Sequence, residues 1–197
     1  MKVGVLALQG GIVEHVYMLR KAAENLGINL EVIEVRKKEH LNQIEGIVLP
    51  GGESTAMYRL GKRLGIADPL RERISNGLPV LGTCAGAALV AKEVIDKQSG
   101  KRYEPLLATN DVKVIRNYFG RQRESFEADL EIKGLGTFRG VFIRAPVMEP
   151  LSDKVEVLSE FNGKPVMVRE GNVILTAFHP ELTSDTRIHE SFLEALS

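Results

Sequence analysis

The chain has 197 residues, 44% hydrophobic and 26% charged, which suits a single compact domain, residues 1–197, with a sizeable core. Basic and acidic residues number 26 each, so the formal charge is zero and there is no electrostatic footprint for nucleic acid or an anionic membrane, leaving a small molecule or another protein as the expected partner. The lone cysteine, Cys84, excludes an intramolecular disulfide, no apolar run approaches the roughly 18 residues of a membrane span, and no signal-peptide pattern is present, so a soluble, cytoplasmic protein is expected.

In chain order, Lys2 to Leu8 reads as a buried strand. After the Gln9-Gly10-Gly11 turn, Ile12, Val16, Leu19, Ala23 and Leu26 recur at helical spacing until Gly27 supplies a stop. Leu30 to Val35 and Gly46 to Leu49 are further strands, and the loop Pro50 to Ser54 leads into a helix through Met57, Leu60 and Leu64. The next helix is expected to start with Asp68 as N-cap and Pro69 at the first helical position. Val80 to Gly82 is a strand that runs into Cys84 and an apolar helix, Ala85 to Val94. Beyond the polar stretch Asp96 to Pro105, strand candidates are Val112 to Arg116, Phe126 to Ile132, Phe138 to Ile143, Val155 to Glu160, Pro165 to Glu170 and Val173 to Phe178. The last two are joined by the hairpin signal Gly171-Asn172, and a helix from about Asp185 to Leu196 follows. Strands alternating with helices predict an open α/β fold, a mostly parallel, flavodoxin-like sheet flanked by helices, with an antiparallel annex in the C-terminal half.

Three points concentrate chemistry. In Gly82-Thr83-Cys84-Ala85-Gly86, the pattern Gly-x-Cys-x-Gly between strand and helix is the cysteine form of a nucleophile elbow. It exposes sulfur at the sheet edge beside the positive end of a helix, and it leaves the Ala85 N–H available to a developing oxyanion. The plainer alternative is a buried structural cysteine. His179-Pro180-Glu181 offers the base a thiolate needs and a carboxylate to hold it, since residues two apart in extended backbone share a face. A structural histidine at a strand end is the alternative there. His15 and His189 fall on predicted helices and His40 in a charged segment, so they compete poorly as the base, and no His/Cys/acid spacing suggests a metal. Pro50-Gly51-Gly52-Glu53-Ser54-Thr55 lets backbone approach a ligand, with the Gly52 N–H as a second oxyanion donor, or else it is an ordinary βα turn capped by Ser54 or Thr55.

The elbow with a distant His-Pro-Glu resembles the class I glutamine amidotransferase family. Leu8-Gln9-Gly10, the Gly-Gly-Glu-Ser-Thr loop, Gly120-Arg121-Gln122 with Ser125 to Asp129, Phe142 to Pro146 and Phe178 to Thr183 narrow the likeness to the glutaminases that serve pyridoxal 5′-phosphate synthases. The resemblance implies Cys84 as nucleophile, His179 as base and Glu181 as its orienting partner. It also implies that Gly52, Glu53, Ser54, Arg116, Ile143 and Arg144 hold L-glutamine. No cofactor is implied. Ammonia would pass to a separate synthase subunit in a hetero-oligomeric complex, with Gln9 and Gly10 responding to that partner, while Arg121 and Gln122 have no settled role. Competing readings are the glutaminase of another pathway, such as histidine biosynthesis, a cysteine peptidase, or a silent interaction module.

Overall fold

A computed structural model describes residues 1–120 and 124–197; Arg121 and Gln122 of the Gly-Arg-Gln motif lie outside them. The first half alternates as predicted: β1 (Lys2–Leu6), α1 (Ile12–Leu26), β2 (Glu31–Val35), β3 (Gly46–Leu49), α2 (Ser54–Arg63), α3 (Ala67–Ser75), β4 (Val80–Thr83) and α4 (Ala85–Val90). Then come β5 (Ala91–Asp96), β6 (Arg102–Tyr103), β7 (Asn110–Arg116), β8 (Ser125–Ile132), β9 (Gly136–Ile143) and β10 (Val147–Pro150). The chain ends with β11 (Glu156–Phe161), β12 (Lys164–Glu170), β13 (Val173–Thr176) and α5 (Arg187–Glu194).

The main sheet runs β11-β12-β13-β4-β3-β1-β2, parallel from β13 to β2. Counting only parallel strands, the order is the flavodoxin-like 2-1-3-4-5, whose crevice lies at the carboxyl ends of the strands near β1 and β3. The four residues of β3, β4 and β13 are all buried, which is why their sequences are unbroken rather than alternating. Gly27 ends α1 in the left-handed conformation, φ 67°, as its position suggested.

Several expectations are corrected. Helix α3 begins at Ala67 without a side-chain cap, because Gly65 (φ 69°) turns the chain directly from α2 and the Ile66 carbonyl already accepts from the Leu70 N–H. Asp68 therefore pairs with Arg71 at 2.6 Å, and Pro69 occupies the third position, where its missing N–H still costs nothing. Helix α4 stops at Val90 rather than Val94. Ala91 turns extended (ψ 144°), and Ala91–Asp96 instead pairs in parallel with β7. Antiparallel pairs do fill the C-terminal half, but in three places rather than one annex: β11 and β12 extend the main sheet, β10-β7-β5-β6 make a second sheet with β5 and β7 parallel at its centre, and β8–β9 is a separate hairpin.

Phe126 and Phe142 face each other across that hairpin and stack with centroids 4.7 Å apart, and Phe142 ties the hairpin to the core by meeting Phe178 at 5.8 Å. The residue before His179 is thereby anchored in an aromatic cluster. Among the described residues no helix is long and apolar enough to cross a membrane.

Candidate active site

Cys84 sits between β4 and α4 with φ 51° and ψ −109°, a conformation a non-glycine residue holds only under constraint from its surroundings. Its N–H donates to the Thr176 carbonyl at 2.7 Å. The flanking glycines serve close packing. A Cβ on Gly86 would collide with the Leu49 carbonyl of β3, and one on Gly82 would lie 2.8 Å from Leu175. The first turn of α4 is thus pressed on the sheet, and Ala85, its first residue, has no intrahelical acceptor for its N–H.

His179 leaves β13 beside this elbow, its N–H held by the Val141 carbonyl of β9 at 2.8 Å. His179 Nδ1 and Glu181 Oε2 are 3.0 Å apart, their side chains 12% and 2% exposed. The expected contact is present, but not through extended backbone: Pro180–Leu182 is a 3₁₀ turn that folds the carboxylate back under the ring. Burial alone would lower the imidazole's pKa, yet hydrogen bonding to Cys84 and then Glu181 outweighs it and raises it to about 10. Burial acts to raise the pKa of Glu181, but hydrogen bonds from His15 and His179 hold the carboxyl far below its usual range.

A cavity of about 390 Å³ opens in front of the elbow. Gly52, Glu53, Ser54, Arg116, Ile143 and Arg144 all line it, as do Cys84, Ala85 and His179. Among the described residues five non-glycine positions have positive φ, and three of them, Cys84, Asn117 and Arg144, stand on this wall. Such clustering of unfavourable backbone is typical of functional sites. The Ile143 carbonyl lies 3.9 Å from the Cys84 sulfur. The Arg116 guanidinium lies over the Tyr103 ring at 4.5 Å, whereas Arg144 is at the rim, 4.0 Å from Glu124. Glu53, not Ser54 or Thr55, caps α2, accepting from the Thr55 and Ala56 N–H groups at 2.9 and 2.7 Å. Its carboxylate is thereby committed to capping the helix.

Gln9 and Gly10 lie outside the cavity and brace its loop. The Gly11 N–H donates to the Gly51 carbonyl at 3.1 Å, and the Glu53 N–H donates to Gln9 Oε1 at 2.6 Å. Because the peptide is planar and trans, the Gly52 N–H points away from the Gly51 carbonyl and hence away from Gly11. Gly51, the first of the glycine pair, is packed against the His179 and Cys84 side chains. A Cβ there would lie 2.6 Å from His179 Cε1 and 3.4 Å from Cys84 Cβ. Thr83 lies within the elbow motif, and His15 and His189, which compete poorly as the base, nonetheless stand behind the site; all three are fully buried. His15 Nε2 is 3.1 Å from Thr83 Oγ1 and 3.4 Å from Glu181 Oε2, while its Nδ1 is 3.0 Å from His189 Nε2. The signal for His15 was its place on the apolar face of α1, between Ile12 and Leu19.

Comparison with known proteins shows the family. The SNO glutamine amidotransferase family profile matches residues 5–197. Pyridoxal 5′-phosphate synthase subunit PdxT of Ignicoccus hospitalis is 71% identical over 197 residues, covering 100% of both chains. The protein of the same name from Aeropyrum pernix is 52% identical, covering 98% of each. A crystal structure of a glutamine amidotransferase superposes with a TM-score of 0.85 at 49% identity over 98% of each chain.

Proposed function

The chain belongs to the SNO glutamine amidotransferase family and is a glutaminase, and from that premise we propose that Cys84, His179 and Glu181 carry out the hydrolysis. The Cys84 thiol gives its proton to His179 and attacks the side-chain amide carbon of L-glutamine. The resulting oxyanion is held by the N–H groups of Ala85 and Gly52. His179 returns the proton to the departing nitrogen, ammonia leaves, and a water activated by the same imidazole releases glutamate from the thioester. Glu181 fixes the imidazole tautomer and balances its charge. The observation that carries this reading is the meeting, on one cavity, of a strained Cys84 with a His179 whose proton affinity is raised by both Cys84 and Glu181.

Gly52, Glu53, Ser54, Arg116, Ile143 and Arg144 form the glutamine site in this proposal, and an arginine suits the substrate's α-carboxylate. The ammonia goes to the synthase subunit of a pyridoxal 5′-phosphate synthase, in a hetero-oligomer of the cytoplasm. The name shared by the relatives from Ignicoccus and Aeropyrum supports that destination over histidine biosynthesis. The two hydrogen bonds from the Gln9–Gly11 turn to the Gly51–Glu53 loop support a partner-responsive role for Gln9 and Gly10, since movement of the turn would be felt at the oxyanion donor.

The test is glutamate release from L-glutamine by wild type and Cys84→Ala, each with and without the synthase subunit. Release that requires Cys84 and rises with the partner is expected. Undiminished release by Cys84→Ala would refute the assignment.

A further inference from the structure

Behind the triad the polar chain continues into the core, and no step of the hydrolysis uses it. His15 of α1 and His189 of α5 are fully buried, as is Thr83, the residue before the nucleophile. Thr83 Oγ1 accepts the Gly51 N–H at 3.1 Å, so His15 touches both the carboxylate of the triad and the residue that holds the oxyanion loop.

The proton positions follow from satisfiability. Glu181 is a carboxylate and only accepts, so a bare nitrogen lone pair facing it at 3.4 Å would repel. His15 Nε2 therefore carries hydrogen. Burial, then His15, lower the pKa of His189 to about 3, so that ring is neutral with a single N–H. Placed on Nε2, that hydrogen donates to His15 Nδ1. The buried His189 Nδ1, which has no partner among the described residues, is then only an acceptor and not a stranded donor.

We propose that His15 is a positioning residue for the hydrolysis: its Nε2–H aligns Glu181 and, through Thr83, the Gly51–Gly52 loop, while His189 fixes the tautomer of His15. The inference rests on the assignment of Cys84, His179 and Glu181 above. It is the logic by which a carboxylate sets a catalytic histidine's tautomer, repeated one layer deeper.

Glutamine and asparagine separate the two nitrogens, because the amide nitrogen of glutamine mimics Nε2 and that of asparagine mimics Nδ1. With excess synthase subunit, His15→Asn should lower kcat roughly ten- to a hundredfold, the size expected for losing one hydrogen bond to a charged group. KM should stay within about twofold, since glutamine does not touch His15. His15→Gln should recover most of kcat although it too loses a contact, the one to His189. At the far end, His189→Phe keeps the volume but removes the donor and should lower kcat, with His189→Gln restoring it. Equal kcat for the Asn and Gln variants, a loss confined to KM, or losses that follow melting temperature in all four variants would overturn the proposal. An inactive Cys84→Ala alongside a fully active His15→Asn would remove only the role of His15, whereas an active Cys84→Ala would remove the triad beneath it.

Discussion

At His179 burial and partnership pull in opposite directions, and the partners prevail, raising its pKa to about 10. In the proposed mechanism, an imidazole with that bias holds a proton taken from Cys84 and delivers it to the leaving nitrogen. His179→Asn keeps the approximate shape and removes the carrier, so glutamate release at saturating glutamine should fall at least about a hundredfold. Glutamine binding, measured by calorimetry, should change little, and near-normal turnover would send the search to another base. Much of this residue-level chemistry was legible in the sequence. Gly82-Thr83-Cys84-Ala85-Gly86 marks a strand-to-helix elbow by local pattern, and a histidine two residues before a carboxylate advertises its partner. The contact between His15 and His189 was not legible, because 174 positions separate them and neither lies in a motif. Gly51 was missed for a different reason: the sequence shows a glycine pair, but not which member is packed against His179.

Secondary-structure elements set the precision of the site through close packing. Helix α4 lies so near β3 that a Cβ on Gly86 would overlap the Leu49 carbonyl. Gly86→Ala should therefore destabilise by about 1–3 kcal/mol or more, the range for overpacking. A lower denaturation midpoint is expected, and an unchanged one would mean that α4 can shift at little cost. Helices α1 and α5 meet through two buried imidazoles, which gives the fold an acid liability. The pKa of His189 is lowered from 6.5 to about 3, so between those values the unfolded chain binds a proton that the folded chain does not. Stability should then fall on acidification by ~1.4 kcal/mol per pH unit from this group. Glu181, lowered by His15 and His179, adds a loss of the same sign once pH drops below the ordinary carboxylate range. His189→Phe should flatten the decline between neutral pH and about pH 5, and parallel denaturation midpoints for the two proteins would contradict this. The parallel strands were readable because burial on both faces leaves unbroken apolar runs. The split of α4 and β5 was not, since Val90 to Ile95 satisfies either pattern until β7 pairs with it. The two-residue β6 and four-residue β10 are too short to carry a period.

For the molecule as a whole, the parallel order 2-1-3-4-5 gathers the loops after β1, β3, β4 and β13 on one sheet edge. The turn after β1 touches the loop after β3, which is the contact the proposed partner response would use. Gly10→Pro is a poor probe of this coupling, because Gly10 has φ 97° and proline is fixed near −65°. Gln9→Ala removes only the acceptor for the Glu53 N–H. In wild type the synthase subunit should raise glutaminase turnover roughly 5- to 150-fold, a typical coupling between sites. Gln9→Ala, still able to bind the partner, should lose much of that activation, and full activation would remove this contact as its carrier. Whether hydrolysis passes through a covalent intermediate on Cys84 is decided by an electrophilic glutamine analogue. The complex is treated with the analogue, the adduct is located by mass spectrometry of peptides, and glutamate release is followed in parallel. One adduct per chain, on Cys84, appearing in step with the loss of glutamate release is the predicted result; an adduct on another residue, or full Cys84 modification with activity intact, would contradict it.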